Sequence, residues 1–90
     1  MGISILDKIK AGARIVDVRS PDEFADGHYP GAVNIPVDAL QRRVGELGGK
    51  NEPHVLYCAS GARSAFAAKV LKAAGFTDVV NAGGLGDMPS

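Results

Sequence analysis

Ninety residues suffice for one compact domain and not for two, so residues 1–90 are read as a single domain. Ten basic residues balance ten acidic ones, which removes the cationic excess that binding to nucleic acid or an anionic membrane draws on. A single cysteine excludes an intramolecular disulfide and a cysteine-rich zinc site. No apolar run approaches the ~20 residues of a membrane span. Asp7, Lys8 and Lys10 break the N-terminal run before it resembles a signal peptide. Met1-Gly2 opens like a myristoylation site, but Leu6 stands where Ser or Thr is needed. A cytoplasmic location is expected.

Turn residues divide the chain into short alternating elements. Ile5, Leu6 and Ile9 fall at helical spacing and predict a helix over Ile3–Lys10, with Gly12 after its end. The β-branched run Arg14–Val18 reads as a buried strand. Ser20-Pro21-Asp22-Glu23 has the form of a capping box with proline at the first helical position. Gly27 keeps that helix brief. Gly31–Pro36 predicts a short strand ended by proline. Val37, Leu40, Val44 and Leu47 define one helical face, stopped by Gly48-Gly49. His54–Tyr57 is the next strand, with His54 expected at the surface. Ala67, Val70, Leu71 and Ala74 mark the buried side of a further helix capped by Gly75, and Asp78–Asn81 is the last strand. Strands alternating with helices imply right-handed crossovers and a mainly parallel sheet covered on both faces, an α/β fold. Ligands of such sheets bind beyond the carboxyl ends of the strands, which is where Cys58 falls.

The segment Cys58-Ala59-Ser60-Gly61-Ala62-Arg63-Ser64 lies between a strand and a helix. Small residues let the backbone curl, and Gly61 permits positive φ. Successive N–H groups in such a turn form an anion-binding nest, and the following helix adds its positive end. Arg63 supplies a cation whose planar fork suits an oxyanion. These effects favour thiolate over thiol and predict a Cys58 pKa below the usual ~8.5. A nucleotide phosphate loop is not indicated, since the segment has no lysine and no Gly-Lys-Ser/Thr ending.

Three segments stand together in this chain: Asp17-Val18-Arg19 with Glu23-Phe24, Gly27-His28, Gly31-Ala32 and Asn34-Ile35-Pro36; the loop from Cys58 to Arg63; and Gly83-Gly84 after the last strand. Through them the sequence resembles the rhodanese family over nearly its whole length. The resemblance implies a parallel central sheet flanked by helices and a sulfurtransferase. In it Cys58 takes the outer sulfur of a donor such as thiosulfate as a persulfide and passes it to cyanide or a low-molecular-weight thiol. It further implies that the amides from Ala59 through Ser60, Gly61, Ala62 and Arg63 to Ser64 cradle that sulfur, and that Arg63 binds the anionic donor. A thioredoxin-like or sulfur-carrier protein is a further candidate partner. No cofactor, metal, nucleic acid or membrane is implied. Tyr29, Ala59, Ala62 and Met88 depart from the common pattern, and the end around Met88 is expected to pack loosely.

Asp17 and Arg19 read as a structural ion pair or loop cap, and Glu23 as the far half of its capping box. His28 offers a base for Cys58, but a structural hydrogen bond is the favoured reading. Two histidines without a Cys or carboxylate at ligand spacing do not make a metal site. Lys69 and Lys72 lie on the exposed face of the helix after the loop, where they also offer a docking surface to an acidic carrier protein. Two alternatives stand beside the sulfurtransferase. One is a persulfide carrier or docking module without fast turnover. The other is a cysteine-dependent phosphatase or arsenate reductase, whose loop has five residues between Cys and Arg where this chain has four.

Overall fold

The computed structural model describes residues 4–89. Helix α1 (Ile5–Lys10) starts where the Ser4 hydroxyl accepts the Asp7 N–H, so Ser4 is the cap. The helix therefore begins two residues later than the apolar spacing predicts. Ile3 and the Met1-Gly2 start lie outside the described residues. Strands β1 (Arg14–Asp17), β2 (Val33–Asn34), β3 (His54–Cys58) and β4 (Val79–Gly84) form one parallel sheet in the order β2-β1-β3-β4. Helix α2 (Pro21–Asp26) follows β1 and helix α4 (Ala62–Ala73) follows β3.

Alternation along the strands builds two apolar layers. Val16, Val18, Leu56 and Cys58 face one side, packed with Leu40, Ala67 and Leu71. Ile15, Val55 and Tyr57 face the other, against Ile5 and Ile9 of α1. The register sets Val16 beside Leu56 and Ile15 beside Val55, so each layer crosses the sheet without a break. Helices thus cover both faces of a parallel sheet, as the alternating pattern requires.

Several local expectations change. The predicted helix over 37–47 is only the short α3 (Leu40–Arg43) followed by a 3₁₀ turn, Val44–Leu47. Its apolar face is right, since Leu40 and Leu47 are fully buried. Gly45 and the tightening into 3₁₀ geometry prevent a continuous α-helix. The strand expected over 31–36 shortens to β2. His54 is not at the surface but completely buried: its ring nitrogens lie 2.7 Å from the carbonyl oxygens of Glu52 and Leu47, and Phe76 meets the ring edge-on. The C-terminal end packs closely. Met88 joins the layer of Ile15 and Tyr57, and the Tyr29 hydroxyl donates to the Pro89 carbonyl at 2.7 Å.

Asp17 and Arg19 form the expected structural pair. The Arg19 guanidinium donates to both Asp17 carboxylate oxygens at 2.7–3.1 Å and to the Gly27 carbonyl at 2.7 Å. The Asp17 side chain is fully buried, and the Arg19 cation lies over the Tyr57 ring. The pair fastens the end of β1 to the end of α2. Replacing Arg19 by methionine strands a buried carboxylate and is expected to cost about 3–5 kcal/mol, read as a lower urea midpoint.

Candidate active site

Cys58 is the last residue of β3 rather than the first residue after it, and it is only 1% exposed. It belongs to the apolar layer, yet its sulfur faces polar groups. The Gly61 N–H donates to Sγ at 3.0 Å and the Ser64 N–H at 3.4 Å, and the Ser64 hydroxyl lies 3.3 Å away. This convergence depends on backbone shape. Gly61 sits at φ +104°, left-handed, which turns the chain back over the sulfur and directly into α4. Burial pushes the Cys58 thiol up. The hydrogen bonds from the Ser64 hydroxyl and from the amides of Ser64, Ser60 and Gly61 outweigh it and bring the pKa down to about 7.

Ser64 contributes more than the N–H that the sequence assigns to it. Its hydroxyl also lies 2.6 Å from the accepting Asn81 Oδ1 on β4, so its single proton serves either that oxygen or the Cys58 sulfur, and Asn81 Nδ2 donates to the Gly61 carbonyl at 3.2 Å. Asn81 thereby ties the loop to the neighbouring strand. Its mark in the sequence is a polar residue at the carboxyl end of the Asp78–Asn81 run, which local patterning alone does not connect to the Cys58 loop. Strand β4 also runs past Asn81 to Gly84, with a shift in register opposite Leu56–Cys58 that sets Gly84 beside Cys58.

Arg63 differs most from expectation. Its fork is taken: Nη1 and Nη2 donate to Glu23 Oε1 and Oε2 at 2.7 and 3.0 Å. Glu23 meanwhile completes its capping box, accepting the Ser20 N–H at 3.1 Å. The Arg63 guanidinium and the Ser20 N–H hold the Glu23 carboxyl far below the usual range, at about 2. Arg63 still lines an open cleft of about 550 Å³ with Val18, Asn34, Val37 and Arg42. His28 is directed elsewhere, stacked on Phe24 with Nδ1 donating to the Phe24 carbonyl at 2.9 Å. Ala59, Ser60 and Ala62 have their side chains on the exposed side of the loop.

The family model described as a rhodanese-like domain matches residues 4–86. The chain belongs to the rhodanese family. This rhodanese is 38% identical over 74 residues to the thiosulfate sulfurtransferase PspE of Escherichia coli, covering 81% of this chain and 71% of that one. It is 40% identical to the uncharacterized protein YqhL of Bacillus subtilis, spanning 83% of this chain and 61% of that protein's length. A putative sulfur carrier protein of Bacillus subtilis, YrkF, is 40% identical over 67 residues, a match that covers 74% of this chain and 36% of that protein. Among solved structures, a rhodanese with anions from E. coli superposes with a TM-score of 0.81 at 36% identity, covering 86% of this chain and 92% of that one. The rhodanese-like domain protein of Staphylococcus aureus superposes at 0.77 with 38% identity, covering 87% and 76%. The rhodanese fold and its sulfurtransferase relatives agree with the strand–Cys–loop–helix geometry.

Proposed function

We propose that this rhodanese domain, over residues 1–90, moves sulfane sulfur through Cys58 from an anionic donor of the thiosulfate class to cyanide or a thiol. The observation that carries this is the convergence of two amides and one hydroxyl on a single buried sulfur. The Cys58 thiolate attacks the outer sulfur of thiosulfate. A new S–S bond to Cys58 forms, the sulfur–sulfur bond of the donor breaks, and sulfite leaves with the electron pair. Cyanide or a thiolate then attacks that outer sulfur, and Cys58 departs as the thiolate. The amides of Gly61 and Ser64 already face the sulfur, and in this reading the loop amides from Ala59 to Ser64 cradle the outer sulfur of the persulfide, so little reorganisation accompanies transfer. The thiosulfate sulfurtransferase PspE supports the donor class, and the putative sulfur carrier YrkF supports a protein thiol as acceptor.

Intact mass after thiosulfate treatment tests the reading. One sulfur atom is expected to appear on the protein and to vanish with cyanide, yielding thiocyanate. No mass gain at a reduced Cys58 would sink it. With the pKa near 7, the thiolate fraction rises with pH from about one tenth at pH 6 to about nine tenths at pH 8. The rate of persulfide formation should follow that curve, whereas an unassisted thiol would titrate near ~8.5.

The Glu23–Arg63 pair makes donor binding adjustable. Arg63→Ala is expected to raise the apparent Michaelis constant for thiosulfate about tenfold, the low end for a charge-assisted contact at a half-exposed site. Glu23→Gln frees the fork and is expected to lower the constant. Steady-state kinetics at low salt on both variants check the two signs. The loop already closes on one sulfur, so no hydrolysis of p-nitrophenyl phosphate is expected.

A further inference from the structure

We propose that the face formed by α3 and α4 is the docking surface for an acidic protein that accepts the outer sulfur of Cys58, with Phe66 as its apolar anchor. The proposal rests on the sulfur-transfer reading and names its partner's chemistry. Three observations converge on this face.

The first is charge. The chain is neutral overall, yet five of its ten cations (Arg42, Arg43, Arg63, Lys69 and Lys72) lie on α3 and α4, and neither helix contains an acidic residue. Glu46 pairs with Arg43 and Glu23 with Arg63. Among the described residues, Arg42, Lys69 and Lys72 have no carboxylate within ion-pair distance, and Asp38 adds one acid at the α3 edge. The face therefore carries a net positive field on a molecule that has none to spare elsewhere.

The second is apolar exposure. Phe66 is 61% exposed, the most exposed of the large hydrophobic residues described. It borders a groove of about 410 Å³ between the two helices, lined also by Val44, Lys69, Val70 and Ala74. An exposed aromatic beside a shallow apolar groove, with Lys69 in the same groove and Arg63 one helical turn before it, has the composition of an interface anchor.

The third is position. Arg63, Phe66 and Lys69 follow one another at three-residue spacing along α4, so each neighbours the next in a stripe that turns about 60° around the axis at each step. At 1.5 Å per residue, Phe66 lies about 4.5 Å and Lys69 about 9 Å along the axis from Arg63. A partner seated on Phe66 holds its thiol within reach of the loop. Because Cys58 is itself buried, transfer to a large acceptor requires such guided approach. The acceptor thiolate attacks the outer sulfur, its new S–S bond replaces the one to Cys58, and no oxidant or reductant is consumed.

Two synthetic peptides of about twelve residues provide the probe, long enough when extended to cover the stripe. Each carries one cysteine and one leucine, the remaining positions being mainly glutamate in one and lysine in the other. The full chain is loaded with thiosulfate, and sulfur transfer to each peptide is followed by mass, normalised to the peptide's own alkylation rate. The acidic peptide is expected to accept sulfur at least about tenfold faster at low salt, with the advantage collapsing near 0.5 M salt. Lys69→Glu with Lys72→Glu should reverse the preference, and Phe66→Ser should slow the acidic peptide several-fold. Discharge by cyanide should persist in both variants. An unchanged peptide preference in the charge-reversed variant, with normal cyanide discharge, overturns the docking proposal and leaves the sulfur-transfer reading intact. Failure of thiosulfate to load Cys58 removes both. Salt-sensitive binding of a labelled single-stranded oligonucleotide, lost on charge reversal and accompanied by no peptide preference, would make this a nucleic-acid surface and overturn the acidic-protein proposal.

Discussion

Cys58→Ser is expected to abolish persulfide formation and thiocyanate production, leaving only the background rate. The serine oxygen accepts the same amide hydrogen bonds from Gly61 and Ser64, so the loop keeps its shape. Those bonds bring a thiol down to about 7. They cannot ionise an alcohol at neutral pH, and the variant has no other thiol to substitute for it. The stability change should stay within about 1 kcal/mol, because one small polar group replaces another among intact donors. Retention of the wild-type rate by the serine variant would place the nucleophile elsewhere.

Gly84→Ala is expected to lower the rate of persulfide formation about a hundredfold while the protein still folds. A Cβ on Gly84 collides with the carbonyl oxygen of Ala59 and comes within 3.0 Å of its carbonyl carbon. The obstacle is backbone, so no rotamer change relieves it. The loop must move, and it is the loop that aims the amides at the Cys58 sulfur. A displacement of about 1 Å in a preorganised site typically costs about two orders of magnitude. Overpacking at this strand end should cost about 1–3 kcal/mol in stability. The pH dependence of Cys58 alkylation separates the two effects: its midpoint should rise in Gly84→Ala, whereas a purely global loss of stability leaves it in place. Wild-type turnover with an unshifted midpoint would show that the contact between β4 and the loop is not needed.

The pairing of Glu23 with Arg63 bears on how the proposed donor binding depends on pH. With its carboxyl held near 2, Glu23 remains ionised and paired throughout the range in which Cys58 titrates. Glu23 therefore adds nothing to the pH dependence between 6 and 8, where the Cys58 thiol changes charge. The folded-state pKa of Cys58 lies below that of an unfolded thiol. Its ionisation thus adds stability that is fully present above ~8.5 and is lost as pH falls through about 7.

Sequence alone determined those features that arise within a few residues of chain. The alternation of Ile15, Val16, Asp17 and Val18 dictates a strand with two different faces, and Ser20 with Glu23 dictates a capped helix start. A strand that runs into Cys58, a glycine-bearing turn and a helix dictates an anion-stabilising loop, because each requirement is met by neighbours in sequence. Tertiary structure alone decided what reaches that loop from elsewhere. Glu23 lies 40 residues from Arg63, and Asn81 lies 17 from Ser64; both contacts exist because β1, β3 and β4 adjoin in the sheet. The local pattern of Glu23 was already explained by its cap, so its second partner left no mark in the sequence. His54 reads as a polar strand end, yet the two carbonyls that satisfy its ring belong to Glu52 and to Leu47, and the latter is turned inward by a 3₁₀ segment that periodicity cannot distinguish from α-helix. The register shift that sets Gly84 against Ala59 is likewise invisible along the chain, because apolar alternation fixes which face a residue occupies but not which residue of the next strand stands beside it.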